Sequence, residues 1–189
     1  MRLFVAVDIP EDVRGALADA AAKLKAVAPD ARWVRAESLH LTVKFIGHEP
    51  PEKLEAIKAA LTAVRGPTPF TLGLYGLYFF PDKRFPRVLA AFVHGEKGHK
   101  EMAVLAKQID FQLGPLEIPR EERAYRGHLT LARLEPREKH DALEAALADM
   151  MRREWGEFAV NEFHLYQSEL KRGGAVYTRL ASFALRVSA

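Results

Sequence analysis

The chain has 189 residues, of which 49% are hydrophobic and 28% charged, and this length and composition are typical of one globular domain or of two small lobes that share a core. It contains no cysteine, which excludes disulfides, thiol catalysis and cysteine-ligated zinc. A net charge of +3 favours anionic partners only mildly, and no apolar run reaches the ~18 residues of a membrane span, so we expect a cytoplasmic protein that does not associate with membranes.

The first half of the sequence alternates strand and helix patterns, in which apolar residues recur at every second position or at every third to fourth position. The predicted elements are a strand over 2–8, a helix over 11–27, a strand over 39–46, a helix over 51–64 and a strand over 69–79. The middle strand carries the triplet His40-Leu41-Thr42. Both helices have one apolar face, so each needs a sheet or another helix to cover it.

The second half repeats this order of elements. The predictions are a strand over 87–94, a helix over 97–113, a strand over 126–133, a helix over 138–151, a strand over 156–167 and a last strand over about 175–185. The third of these elements, counted from residue 87, carries the triplet His128-Leu129-Thr130. The turn Arg172-Gly173-Gly174 precedes the last strand, and the loop 81–87, which contains two prolines, separates the halves.

The order of elements reflects an internal repeat. The two triplets lie 88 residues apart, and at the same spacing segment 70–78 aligns with segment 158–166, each ending in Leu-Tyr. We therefore expect one domain over 1–189 made of two similar halves, about 1–80 and 87–168, with the final strand at about 175–185. The predicted fold class is α+β, with two lobes related by a pseudo-twofold axis. Each lobe would hold an antiparallel sheet flanked by helices, with the triplets facing each other across an active-site cleft.

The triplets combine a histidine and a threonine on one face of a strand. Side chains two positions apart leave the same face, so His40 points with Thr42, and His128 points with Thr130. A neutral imidazole accepts a proton from water, a protonated imidazole donates one to a leaving oxygen, and the ordinary pKa of ~6.5 allows both states near neutral pH. The hydroxyls would hold phosphoryl oxygens, so phosphodiester hydrolysis needs neither a metal ion nor another cofactor here. The apolar residues of the same segments are expected to pack into the core: Leu41, Val43, Leu129 and Leu131.

The spans His40-Leu41-Thr42-Val43 and His128-Leu129-Thr130-Leu131 resemble the paired H-x-T-x motifs of the two-histidine (2H) phosphoesterase superfamily. The flanking segments are similar to its bacterial and archaeal branch, which is named for 2'-5' RNA ligase: 32–34, 40–47, 86–89, 129–133, 165–168 and 174–177. The resemblance implies hydrolysis of RNA 2',3'-cyclic phosphate ends to 2'-phosphomonoesters, with reverse 2'-5' ligation as a further capacity. It implies RNA ends or nucleotides bearing a 2',3'-cyclic phosphate as partners, and we expect no cofactor or metal and a monomer.

The resemblance also assigns roles to the motif residues. His40 is implied as the proton donor to the departing 3' oxygen, and His128 as the proton acceptor that activates water. Thr42 and Thr130 are implied to bind the phosphate. The residues taken alone leave the two histidine roles interchangeable, because pseudo-symmetry makes their positions equivalent.

Two further residues are implied to touch the substrate. Phe45 would stack on a base and Arg133 would contact a phosphate, and each lies five positions beyond its histidine. Strict alternation would put both on the opposite face of the strand, so a bulge or a strand end must turn them toward the cleft. The alternative is a core phenylalanine and a surface arginine. The sequence departs from the family at Gly127, where a proline often precedes the second histidine.

Other functions remain open on the sequence. A 2H phosphoesterase of this kind could act on ADP-ribose cyclic phosphate, on 2'-5' oligonucleotides or on oligouridylate tails, and loops would decide between these substrates. A non-catalytic module that binds RNA ends is a different class of function, although histidine and threonine are intact at all four positions. A metallohydrolase is disfavoured, because the other histidines form no ligand-spaced cluster with carboxylates.

Overall fold

In the computed structural model, residues 1–136, 138–172 and 174–186 are described, and they form nine strands and four α-helices. The strands are β1 (Arg2–Asp8), β2 (Arg32–Trp33), β3 (His40–His48), β4 (Phe70–Phe80), β5 (Val88–Val93), β6 (His128–Arg133), β7 (Glu154–Val160), β8 (Glu162–Lys171) and β9 (Gly174–Ala184). The helices are α1 (Glu11–Lys25), α2 (Leu54–Thr62), α3 (His99–Leu113) and α4 (Asp141–Ala146). Gly173, in the predicted turn before the last strand, lies outside the described residues.

The strands assemble into two antiparallel sheets over the described part of the chain. The first sheet has the order β3-β1-β8-β9, and the second has the order β2-β6-β5-β4-β7. Each sheet holds one triplet strand, β3 at an edge of the first sheet and β6 next to the short edge strand β2 of the second. The predicted α+β fold class with two sheet-and-helix lobes is confirmed.

Each sheet draws strands from both halves of the sequence. β8, which comes late in the chain, pairs with β1, and β4, which comes early, pairs with β5. The two repeats therefore exchange their last long strands instead of folding side by side. This exchange joins the two sheets through the backbone and fixes β3 and β6 relative to each other.

The predicted strand over 156–167 is wrong as a single element. It divides at Asn161 into β7, which pairs with β4 in the second sheet, and β8, which pairs with β1 and β9 in the first. Val160 and Phe163, on the two sides of the break, are both buried. Apolar residues thus continue through the break, so periodicity alone could not reveal the change of sheet.

The helix predicted over 138–151 is also too long, because α4 ends at Ala146. Beyond it, the carbonyl of Met150 accepts a hydrogen bond from the Leu77 amide (3.2 Å), and the carbonyl of Arg153 accepts one from the Gly76 amide (2.8 Å). The backbone after α4 therefore forms hydrogen bonds with strand β4 instead of further helical turns. The two-residue strand β2 was not predicted, since a pairing this short leaves no periodic pattern.

The helices bury their apolar faces against the sheets. α1 contacts β7, and α3 contacts both α2 and β3. The buried side chains of α1 and α3 include Val13, Leu17, Leu24, Met102, Leu105 and Ile109. No helix in the described ranges is both long enough and apolar enough to cross a membrane.

Candidate active site

The strands β3 and β6 contact each other although they belong to different sheets. His40 and Thr42 are half-buried on β3, and His128 and Thr130 are half-buried on β6. The apolar motif residues that the sequence predicted to lie in the core are all buried: Leu41, Val43, Leu129 and Leu131. Both strands therefore divide between a core face and a histidine-threonine face, and the two motifs lie on neighbouring strands.

Both triplet strands contain a β-bulge at the same place. In the β1–β3 pair the register passes from Thr42 to Lys44 and skips Val43, and in the β5–β6 pair it passes from Thr130 to Ala132 and skips Leu131. A bulge of this kind reverses the alternation of the residues that follow it. The duplication of the bulge is thus a property of the repeat.

The bulges bring Phe45 and Arg133 to the faces of the histidines. Phe45 lies opposite Phe4, which shares a face of β1 with Asp8, the residue opposite His40. Its side chain is 64% exposed, so the expectation of a core phenylalanine is excluded. Arg133 is exposed as well, and its charge contributes to lowering the pKa of His40, as expected of a cation close to the ring.

His40 is held at both ring nitrogens. Nδ1 lies 2.8 Å from the carbonyl of Ser38 and must donate to it, so in the neutral ring Nε2 accepts from the Thr42 hydroxyl at 3.1 Å. The rings of Phe4 and Tyr177 lie 4.9 and 5.1 Å from the imidazole. Burial lowers the pKa of His40 below its ordinary value, while the hydrogen bond to Ser38 and the Asp8 carboxylate act in the opposite direction.

His128 has the same backbone arrangement and different neighbours. Its Nδ1 lies 2.7 Å from the carbonyl of Arg126, so Nε2 is the ring nitrogen that can exchange a proton with a bound molecule. The ring of Phe80 stacks on it at 4.5 Å, and Phe92 lies at 6.1 Å. Burial lowers the pKa of His128, the hydrogen bond to Arg126 raises it, and the guanidinium of Arg126 lowers it further. This guanidinium lies over the Phe80 ring at 4.8 Å.

Gly127, the residue before the second histidine, is closely packed. A Cβ atom at this position would lie 2.7 Å from Cγ2 of Val93, which is too close for a side chain without displacement. The carbonyl of Gly127 also accepts a hydrogen bond from the Val93 amide at 3.0 Å. Glycine here lets β5 approach the start of β6, which positions His128 beside the rings that surround it.

Sequence reasoning missed residues that fix the backbone of the site. Arg14 donates to the carbonyls of Ile9 and Leu39 at 3.0 and 3.2 Å, and so holds the segment that leads into His40. The hydroxyl of Tyr125 donates to the carbonyl of Thr42 at 3.0 Å and ties the approach to β6 to the first motif. Burial raises the pKa of Tyr125, which keeps this donor protonated. These contacts join residues up to 83 positions apart, so no local pattern marks them.

A cavity of about 510 Å³ adjoins Arg133, but neither catalytic candidate histidine lines it. Its walls include the basic residues Arg32 and Lys139 and the acidic residues Asp30 and Glu135. This mixture of charges gives the cavity no clear preference for an anion. Within the described ranges, no group of three or more histidine and carboxylate side chains is arranged to hold a metal ion.

Comparison with known proteins gives a consistent result over nearly the whole chain. A family model described as LigT-like phosphoesterase matches residues 7–90 and 95–177. The RNA 2',3'-cyclic phosphodiesterase of Methanothermobacter thermautotrophicus is 30% identical over 186 residues, which are 98% of this chain and 99% of that protein. The enzyme of the same name from Thermus thermophilus is 34% identical over 192 residues, with coverages of 98% and 91%.

Solved structures show the same fold. A protein of Thermus thermophilus, TT0787, is 33% identical and superimposes with a TM-score of 0.79, covering 98% of each chain. The LigT protein of E. coli in complex with 3'-AMP is 27% identical, with a TM-score of 0.76 and 97% of each chain covered. The match of the family model to two successive stretches agrees with the repeat of two lobes.

Proposed function

Since the chain belongs to the LigT-like phosphoesterase family, we propose that it hydrolyses RNA 2',3'-cyclic phosphate ends to 2'-phosphomonoesters. The observation that carries the proposal is a pair of bulged strands that contact each other, each with a histidine and a threonine on one face. The names of the relatives support the choice of substrate.

In the proposed reaction His128 is the base and His40 is the acid. Neutral Nε2 of His128 takes a proton from water while the water oxygen attacks phosphorus. The bond between phosphorus and the 3' oxygen breaks, and Nε2 of protonated His40 gives its proton to that oxygen. The products are a 2'-phosphate and a 3'-hydroxyl. The hydroxyls of Thr42 and Thr130 donate to the non-bridging oxygens, where negative charge grows in the transition state.

The surroundings of His128 support its role as the base, and the hydrogen bonds of both rings support proton transfer at Nε2. Burial and, to a smaller extent, the positive charge of Arg126 lower the pKa of His128, which favours the neutral form that a base needs. In both rings the Nδ1 proton is donated to a backbone carbonyl, so proton transfer is directed to Nε2. Phe45 is proposed to stack on the base of the terminal nucleotide, and Arg133 to contact the phosphate.

The first experiment follows a 2',3'-cyclic nucleotide incubated with the protein in excess EDTA. We expect the 2'-phosphate as product, and a loss of about 10²–10⁴-fold in kcat in each of His40→Ala and His128→Ala. His48→Ala, an exposed histidine at the end of β3, is the matched control and should keep its activity. A 3'-phosphate product, or full activity in both active-site variants, would refute the proposal.

A second experiment separates the acid from the base. In a substrate with sulfur in place of the 3' oxygen, the leaving thiolate needs no proton. His40→Ala should therefore recover most of its lost rate with this substrate, and His128→Ala should not, because water still needs a base. Recovery of His128→Ala alone would reverse the two assignments.

The same site is proposed to join RNA ends when a 5'-hydroxyl replaces water as the nucleophile. His128 would take the proton of that hydroxyl, and the 3' oxygen would leave protonated by His40, which yields a 2'-5' linkage. An oligonucleotide with a 2',3'-cyclic end is incubated with one bearing a 5'-hydroxyl, and the junction is tested for resistance to a nuclease specific for 3'-5' linkages. Faster turnover of ADP-ribose cyclic phosphate than of cyclic-ended RNA would instead favour a nucleotide substrate.

A further inference from the structure

Asp8, at the end of β1, lies directly opposite His40 in the β1–β3 pair. Residues opposite each other in an antiparallel pair place their side chains on the same face, close together. One carboxylate oxygen of Asp8 accepts a hydrogen bond from the Tyr166 hydroxyl at 2.7 Å, and the other pairs with the guanidinium of Arg179. Nε of Arg179 also lies 3.2 Å from the Tyr166 hydroxyl. The carboxylate beside His40 is thus held by two strands, β8 and β9, on the far side of β1.

The same group of side chains packs against the His40 ring. Tyr166 stacks on Phe4 at 5.4 Å between ring centres, and Phe4 contacts His40 at 4.9 Å. Burial first, and then the hydrogen bond to Asp8, raise the pKa of Tyr166 to about 12, so its hydroxyl stays protonated and donates to the carboxylate. Asp8 therefore remains an acceptor whose position is fixed relative to the imidazole.

The position equivalent to Asp8 in the second sheet carries no charge. The residue opposite His128 in the β5–β6 pair is Phe92. The two histidines share the bulge, the donated Nδ1 proton and the neighbouring threonine, but they differ at this cross-strand position. A carboxylate beside one ring and a phenyl group beside the other will favour the protonated form of His40 over that of His128.

We propose that Asp8 is a positioning residue that opposes the effect of burial and favours the protonated state of His40 required of the acid, and that Arg179 and Tyr166 limit the negative charge that His40 experiences. The inference rests on the proposed role of His40 as the acid. Asp8 would make the two equivalent histidines different, and the site would extend to strands β8 and β9.

Other charged and hydrogen-bonding groups also lie close to His40 and affect its titration. Arg133 of β6 and Arg14 of α1 bring positive charge, and the Ser38 carbonyl accepts the Nδ1 proton. His164 of β8 lies with Nε2 3.7 Å from Asp8 and adds positive charge only when it is protonated. Burial lowers the pKa of His164, which favours its neutral form.

The test compares Asp8→Asn with Arg179→Gln. Loss of the carboxylate leaves Arg179 uncompensated, so the pKa of His40 should fall by about one pH unit, and the rate above that pKa should fall about tenfold. Loss of the arginine leaves the carboxylate less neutralised, so the pKa of His40 should rise and the basic limb of the kcat profile should move to higher pH. Side-chain NMR of labelled histidine, assigned with His40→Gln, reports the pKa directly.

Opposite shifts distinguish electrostatic positioning from loss of structure, which would lower activity in both variants without moving the pKa in opposite directions. Glu162→Gln removes a nearby carboxylate whose side chain is 50% exposed, and should leave the pKa of His40 unchanged. Equal pKa values of His40 in the wild type, Asp8→Asn and Arg179→Gln, or shifts of the same sign, would overturn the inference. Arg179 is 47% exposed, so its substitution keeps the test available if Asp8→Asn does not fold.

The NMR titration requires no substrate, and it therefore separates this inference from the proposed function. The expected shifts in a protein that fails to hydrolyse cyclic phosphates would support the link between Asp8 and His40 and refute only the reaction. Hydrolysis as proposed, with an unshifted His40 in both variants, would refute only the role of Asp8.

Discussion

Strands β3 and β6 have the same backbone design but different surroundings. Both place a histidine and a threonine on one face, skip one apolar residue in a bulge and turn the fifth residue after the histidine to the same face. The carboxylate of Asp8 lies opposite the first histidine, and the ring of Phe92 lies opposite the second. Backbone geometry can therefore duplicate a histidine-threonine arrangement, while side chains on neighbouring strands give the two histidines different surroundings, as the proposed acid and base roles require.

Among the tests of this comparison, substitution of the two threonines should produce the largest effect on kcat. Thr42→Val and Thr130→Val each remove a hydroxyl but keep the shape of the side chain, and we expect each to lower kcat by about 10²-fold because a donor to the developing charge is lost. The Thr42 substitution should be the more harmful, since its hydroxyl also lies 3.1 Å from Nε2 of His40. Single-turnover rates with a 2',3'-cyclic nucleotide measure both. A larger loss at Thr130 would contradict the asymmetry.

Arg133 and Phe45 occupy equivalent positions after the two bulges but carry different side chains. Arg133→Ala should lower kcat/KM by about 10- to 100-fold for every base, because a charged hydrogen bond to phosphate does not depend on the base. Arg32→Ala is the matched control, as Arg32 lies opposite Arg133 on the adjacent strand β2. An equal loss in both variants would indicate a general effect of positive charge.

Phe45→Ala should raise KM by about tenfold through loss of stacking, and should leave kcat nearly unchanged. The size of the change should depend on the base, in contrast to the Arg133 substitution. Phe85, in the loop after β4, is 65% exposed and serves as a control for removal of an exposed ring. Steady-state kinetics with the four 2',3'-cyclic nucleotides would reveal the dependence, and an identical change for all four would argue against stacking.

The smallest expected effect is on stability. Burial lowers the pKa of His164, as it does for His40 and His128. As the pH falls through the ordinary histidine range, the unfolded chain takes up protons that the folded chain does not, so the free energy of unfolding decreases. Above that range the contribution of these histidines to the free energy of unfolding is fully present. His164→Asn should reduce the difference in urea midpoint between pH 7.5 and pH 5.5. An unchanged difference in urea midpoint would exclude His164 as a source of the pH dependence of stability.

The triplet strands and the faces of their residues could be predicted because strand alternation is local. Strand alternation predicted that His40 and Thr42 share a face and that a bulge or a strand end must precede Phe45, but it could not locate the bulge at Val43. The fold class followed from the repeat. The sequence pattern thus captured the part of the site that lies within single strands.

The rest of the site depends on pairings between distant segments. Asp8 meets Tyr166 and Arg179 only because β8 and β9 cross into the first sheet, and a further shift in register between Leu165 and Tyr166 sets their alignment. The division at Asn161 that makes this possible leaves no change in apolar pattern. Single-sequence periodicity cannot reveal contacts created by such a crossing.

The exchange of strands between the repeats also limits how the molecule can be divided. A cut in the exposed segment 81–85 leaves β1 on one fragment and its partner β8 on the other, and it likewise separates β4 from β5. Neither fragment keeps the pairing that completes its own sheet, so the two should acquire structure only by assembling with each other. We therefore expect each half of this duplicated molecule to be stable only when it is paired with the other half.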